Sequence, residues 1–132
     1  MTPYERTTKV LRFKGLVRGI GYDKGEKWFP PSKKYPRGHN EDLFSIIDLV
    51  VLDNGIVGIQ CCGGSGDYMK HIRKLRDEKR VNTMQWLKNG GKLQIWAWRK
   101  LKKVRGKKAT HWVPRIADFY LEAGEIYVKE RK

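Results

Sequence analysis

Ile47-Asp48-Leu49-Val50-Val51-Leu52-Asp53-Asn54-Gly55-Ile56-Val57-Gly58-Ile59-Gln60-Cys61-Cys62 is a pair of apolar runs set around a polar tripeptide. β-Branched residues and leucine fill both runs, which predicts strands covered on both faces. The first run extends back to Leu43, interrupted only by Ser45 and Asp48, and the second spans Ile56 to Cys61. Asp53-Asn54-Gly55 is a strong hairpin-turn signal. An aspartate inside such a run is costly unless it is paired or meets a cation. Gln60 is a second polar residue in the partner strand.

Turn length decides whether these two side chains meet. A two-residue Asn54-Gly55 turn pairs Asp48 with Cys61 and puts Gln60 on the opposite face. A three-residue turn, with Gly55 in the left-handed position and a bulge, pairs Asp48 with Gln60. Cys62 then shares their face and Cys61 points away. Asp-Asn-Gly suits the longer turn, because Asp and Asn begin a type I turn and Gly accepts positive φ.

Outward from the hairpin, Gly63-Gly64-Ser65-Gly66 is a flexible connection. A helix is predicted from about Asp67 to Lys79, with Tyr68, Met69, Ile72 and Leu75 on one face. Asn82 can cap a second short helix carrying Met84, Trp86 and Leu87, stopped by Asn89-Gly90-Gly91. Leu93 to Trp98, Thr110 to Ile116 and Glu125 to Lys129 read as further strands. Upstream, Thr2-Pro3-Tyr4-Glu5 is a capping box with Pro at the first helical position. Val10, Phe13, Leu16, Val17 and Ile20 continue at helical spacing, so this helix is expected to end near Gly19 or Gly21. An extended segment at 26–29, containing Trp28-Phe29, and then an exposed loop follow. The order is helix, hairpin, helix, strand, hairpin: a single-domain α/β chain over 1–132 with a mixed sheet of few strands.

The 132 residues carry 29 Lys and Arg against 14 Asp and Glu, a formal net charge of +15. Residues 1–66 hold 10 basic and 7 acidic side chains, whereas 67–132 hold 19 and 7. Such a surplus implies a polyanionic partner. Arg99, Lys100, Lys102, Lys103, Arg105, Lys107 and Lys108 form a run without an acid at an expected hairpin tip, about 99–109, and are the candidate phosphate-binding residues. No apolar run approaches the roughly 20 residues that span a bilayer, and Met1-Thr2-Pro3 opens no signal-peptide pattern. The expectation is a soluble, cytoplasmic chain with no membrane partner. Small size and high charge suit a phage or prokaryotic source. Two adjacent cysteines form neither a disulfide framework nor a zinc spacing. His39, His71 and His111 show no metal-ligand spacing.

The hairpin and its flanking helices resemble the PD-(D/E)xK nuclease superfamily, most closely its small Holliday-junction-resolvase-like members. These carry a helix with an acid, a strand with an Asp, a short turn, a strand ending in (D/E)-x-K, and then a helix. Here Glu5 matches the helix acid, Asp48 the strand Asp, Gln60 the second acid and Cys62 the lysine. Trp96-Ala97-Trp98-Arg99-Lys100 resembles a WxWRK-type strand of small relatives. The resemblance implies a restriction-endonuclease-like fold, a mixed sheet flanked by helices. It implies a Mg2+- or Mn2+-dependent endodeoxyribonuclease whose metal is held by Asp48, Gln60, the main-chain carbonyl of Cys61 and Glu5. DNA is the expected nucleic acid, and a homodimer is implied by the resolvases.

Two departures stand out. Gln60 is a neutral ligand, and the Cys62 thiol has neither the fixed charge of lysine nor an affinity for Mg2+. Lys70 or Lys74 on the next helix is the substitute, with Lys70 preferred because it lies nearer the helix start. Asp42 is a candidate extra acid. Each assignment has a plainer alternative. Asp48 can be satisfied by backbone or Arg, Gln60 can bond a neighbouring strand, and Glu5 can serve only its capping box. Trp96 and Trp98 share a strand face and are expected to pack under a helix rather than stack on bases. The same chain without a competent site would be a non-catalytic nucleic-acid-binding module.

Overall fold

The computed structural model describes residues 1–20, 22–23, 33, 41–106 and 108–131. In chain order the elements are α1 (Pro3–Phe13), β1 (Arg18–Ile20), β2 (Tyr22–Asp23), β3 (Glu41–Asp42), β4 (Leu49–Leu52), β5 (Ile56–Gly63), α2 (Ser65–Arg73), a π-helical turn (Lys74–Glu78), α3 (Arg80–Lys88), β6 (Lys92–Lys102), β7 (Thr110–Glu122) and β8 (Glu125–Glu130). Six strands form one mixed sheet in the order β1-β4-β5-β6-β7-β8, and β2 pairs with β3 apart from it. The β5–β6 pair is parallel, and every other neighbouring pair in the sheet is antiparallel. A parallel pair needs a crossover, and α2, the π turn and α3 supply it.

Helices cover both faces. Ile47, Cys62, Tyr68, Ile72, Leu75, Leu93, Ile95 and Ala97 build the core beneath α2. Leu11, Leu49, Val51, Val57, Ile59, Trp96 and Trp98 build the core beneath α1. Both tryptophans therefore serve packing. Their indole N–H groups are satisfied, Trp96 by Gln94 Oε1 at 2.9 Å and Trp98 by Thr7 Oγ1 at 2.8 Å.

The first helix is shorter than its apolar spacing predicts. Gly15 takes φ 74°, its N–H donates to the Arg12 carbonyl, and the Leu16 N–H donates to the Leu11 carbonyl. That pair of bonds around a left-handed glycine is the Schellman stop. Phe13 is consequently 92 % exposed, and the buried helical residues are Thr7 and Leu11. Residues 18–20 pair with β4 instead of continuing the helix.

The apolar run from Leu43 also divides. Phe44 and Ser45 adopt positive φ, and the Ile46 N–H donates back to the Leu43 carbonyl at 3.1 Å. Only Leu49–Leu52 is strand, while Ile46 and Ile47 are fully buried beside it. The predicted helix over 67–79 is α2 followed by the π turn. Asn82 does not cap α3. It lies inside the helix and donates its amide to the Phe44 carbonyl at 2.7 Å. The extended segment expected at 26–29 falls outside the described residues.

Candidate functional site

The hairpin adopts the three-residue turn. Leu49 pairs with Ile59 and Leu52 with Ile56, leaving Asp53, Asn54 and Gly55 as the connection. The turn is not the expected type I, because Asn54 already takes the left-handed conformation at φ 51°, which its short polar side chain tolerates, and Gly55 follows at φ 131°. Lys92 clamps the turn by donating its Nζ to the Asn54 carbonyl at 2.6 Å. This register sets Asp48 opposite Gln60. The Asp48 N–H donates to the Ile59 carbonyl at 2.9 Å. Its Oδ2 accepts the Gln60 amide at 2.7 Å and the Cys61 N–H at 2.9 Å. Cys62 packs on the α2 face and Cys61 on the α1 face.

Gly58 makes the close approach feasible. A Cβ at that position would stand 2.6 Å from Ile47 Cδ1, so only glycine lets the Ile46-Ile47 segment lie flat on β5. The turn at Phe44-Ser45 then returns Asp42 to the same place. Asp42 Oδ2 lies 3.5 Å from Gln60 Nε2 and 3.8 Å from Lys74 Nζ. Two carboxylates, one buried amide and one ammonium are thus gathered on the α2 face of the hairpin.

The electrostatics are tense. Asp48 is pushed up to about 7, foremost by burial, then by the Asp42 charge and a hydrogen bond to that carboxyl group. The Cys61 N–H and the Lys74 charge oppose the rise. Gln60 Oε1 is buried without a hydrogen-bond partner among the described residues. An orphaned buried acceptor beside two carboxylates is an unusual expense in a native core. A half-turn of the amide would bring Oε1 towards Asp42 and Asp48, an arrangement of oxygens that a cation or the proton held by Asp48 makes favourable. The donor set is hard oxygen throughout, which fits Mg2+ or Mn2+ and not a thiophilic ion. Among the described residues no three His, Cys, Asp or Glu side chains converge as a metal-holding group, and the third polar side chain beside the two carboxylates is the Gln60 amide.

The remaining candidates separate clearly. Lys74, rather than Lys70, reaches the cluster; Lys70 is exposed on α2, and no described contact joins it to the acids. The Lys74 N–H still donates to the Lys70 carbonyl, so the two lysines share one helical face one turn apart, and the π bond from the Lys79 N–H to the Lys74 carbonyl follows. Glu5 completes its capping box: its carboxylate accepts the Thr2 N–H and its own N–H donates to Thr2 Oγ1, both at 3.1 Å. No described contact brings Glu5 to Asp48. Burial pushes the Cys61 and Cys62 thiols up to about 12, which leaves both neutral at physiological pH. In the glycine-rich connection, Gly64 gives its N–H to the Trp98 carbonyl at 3.0 Å, so that donor is already committed.

The basic run is a ribbon more than a tip. Gly63 pairs with Trp98 at the end of β5, and beyond it Arg99 to Lys102 pair only with Val113 to Thr110 of β7. A two-stranded ribbon therefore projects past the end of β5 that carries Gln60. Arg99, Lys100, Lys102, Lys103, Arg105 and Lys108 are exposed on it, while Lys107 lies outside the described residues. Trp112, opposite Lys100, is 42 % exposed and carries the Arg6 guanidinium 3.7 Å above its ring.

Comparison of the chain with family models, with curated proteins and with solved structures found no match. Among the described residues no helix is long and apolar enough to cross a membrane.

Proposed function

We propose that this chain is a metal-dependent endonuclease acting on DNA, built on a restriction-endonuclease-like version of its mixed sheet. The observation that carries the reading is the meeting of Asp48 with Gln60 across the hairpin, with Asp42 beside them. The order of elements supports it: a capped helix, a hairpin bearing the polar pair, a helix, and a strand parallel to the second hairpin strand. So does the cationic ribbon at the same end of the sheet.

Asp42, Asp48, Gln60 and the Cys61 carbonyl would hold one Mg2+ or Mn2+. The bound ion would polarise a phosphoryl oxygen and make water a better nucleophile. Asp48 must lose its proton to serve as a ligand, and Lys74 favours that loss. Lys74 also supplies the positive charge that Cys62 cannot, near enough to the acids to meet a phosphate oxygen. Arg99, Lys100, Lys102, Lys103 and Arg105 would hold the sugar–phosphate backbone in register with the cluster, since a two-stranded ribbon fits a duplex groove.

The deciding experiment incubates the protein with duplex and single-stranded DNA, with and without Mn2+. Cleavage that requires the ion and vanishes in Asp48→Asn, with binding intact, supports the reading. The buried neutral Cys62 favours a second one, a binding module without hydrolysis. Salt-sensitive DNA binding with no cleavage under any metal would select it.

A further inference from the structure

Beside the acid cluster, Phe44, Val81, Asn82, Gln85, Trp86 and Asn89 line a cavity of about 440 Å3, a size that suits a small organic ligand. Its aromatic floor is firmly set. The Trp86 indole N–H donates to the Lys92 carbonyl at 2.8 Å. Gly91 lies so close under the indole that a Cβ there would stand 2.4 Å from it. The Phe44 ring centroid is 5.9 Å from that of Trp86, with the planes at 44°.

The backbone under Phe44 is strained. Phe44 and Ser45 hold φ of 53° and 62° in succession, where Asn-Gly is the usual pair. Left-handed backbone is costly for an ordinary residue, because Cβ crowds the following carbonyl oxygen. Such strain persists where the surroundings enforce it, and it gathers at ligand sites. The turn lays Ile46 and Ile47 in the core, yet it leaves the Phe44 ring itself 48 % exposed at the cavity. Asn82 ties the turn to α3 through the Phe44 carbonyl.

Among the described residues no charged side chain lines the cavity; two aromatic rings, three amides and Val81 do. That is a surface for a flat, uncharged heterocycle with a hydrogen-bonding edge, and a poor one for phosphate. The charged groups lie next door, since Asp42 is two residues from Phe44 and pairs with Lys74. We infer that the cavity receives an unpaired nucleobase of the strand whose phosphate lies at Asp42, Asp48 and Gln60. This rests on the nuclease reading above and narrows it. The substrate must present a base outside its stack, as a single strand or a bulge does and a continuous duplex does not.

The test is a titration of the full chain in EDTA, where hydrolysis cannot occur. The probes are a single strand, a duplex with a one-nucleotide bulge and the continuous duplex, each with 2-aminopurine at the tested position. The bulged and single-stranded probes are expected to change fluorescence on binding. Phe44→Gly removes the ring and suits the positive φ, so the fold is kept. It is expected to weaken the two unpaired probes about tenfold, the range of one base–aromatic stack, and to leave the duplex unchanged. Equal binding of all three probes by the wild type, or unpaired-probe affinity untouched by Phe44→Gly, overturns the inference. Concentration-dependent self-association lost in Phe44→Gly, without a base effect, overturns it too and assigns the cavity to a second copy. Failure of Mn2+-dependent cleavage bears only on the nuclease reading, because these titrations need no hydrolysis.

Discussion

Asp48 sits where burial and a neighbouring carboxylate both favour its proton. An acid whose folded pKa is raised keeps a proton that the unfolded chain has lost. Stability therefore falls as pH climbs from about 4 to about 7. Asp48→Asn removes that penalty while retaining an acceptor for the Cys61 N–H. In EDTA at pH 8 the variant is expected to unfold at a higher temperature than the wild type, with the gap closing near pH 4. A calorimetric or circular-dichroism melt at the two pH values reads this directly. Cleavage should fall at least about 100-fold in the same variant, as for loss of a metal ligand. Lys74→Ala removes a charge that holds the Asp48 pKa down. The pH–rate midpoint at limiting Mn2+ should move upward, and a midpoint that stays put would remove Lys74 from the site. The Asp48–Gln60 meeting is legible in sequence because Asp-Asn-Gly is local chemistry that selects its own turn length. The choice of Lys74 over Lys70 is not, since the two lie one turn apart on the same helical face and only the tertiary placement of Asp42 separates them.

Among the elements, the hairpin owes its geometry to Gly58 and the ribbon owes its reach to unpaired neighbours. Gly58→Ala would drive a methyl into Ile47. A loss of about 1–3 kcal/mol in urea titration is expected, the usual cost of overpacking, together with weaker metal binding as Asp48 is displaced. Replacing Arg99, Lys100, Lys102, Lys103 and Arg105 by Gln should leave the melting temperature almost unchanged, since all are exposed. It should flatten the slope of log affinity against log salt by about 4.5, near 0.9 for each phosphate no longer neutralised. A slope unchanged within error would move the nucleic-acid surface elsewhere. Charge makes this surface visible in sequence, but its strand pairing is hidden, because Lys- and Arg-rich stretches read as solvated loops. The end of α1 misleads for the opposite reason: Leu16, Val17 and Ile20 keep the helical period after Gly15 has already stopped the helix. The Phe44-Ser45 turn leaves no signal, as neither residue favours left-handed backbone.

Taken whole, the molecule places its acids, its aromatic cavity and its cationic ribbon around one crossover, β5 to β6. The mixed α/β class and the covered hairpin follow from hydrophobic pattern; the six-strand order and the isolated β2–β3 pair need tertiary pairing that no local pattern encodes. The bond from Trp98 to Thr7 joins positions 91 residues apart. Contacts so distant in sequence are slow to form. A nascent chain emerging from the ribosome can lay its first helix on the β4–β5 hairpin, but it cannot complete that packing until Trp98 has left the exit tunnel. Part of the hydrophobic side of α1 stays uncovered until then, a window in which a holdase chaperone would find its target.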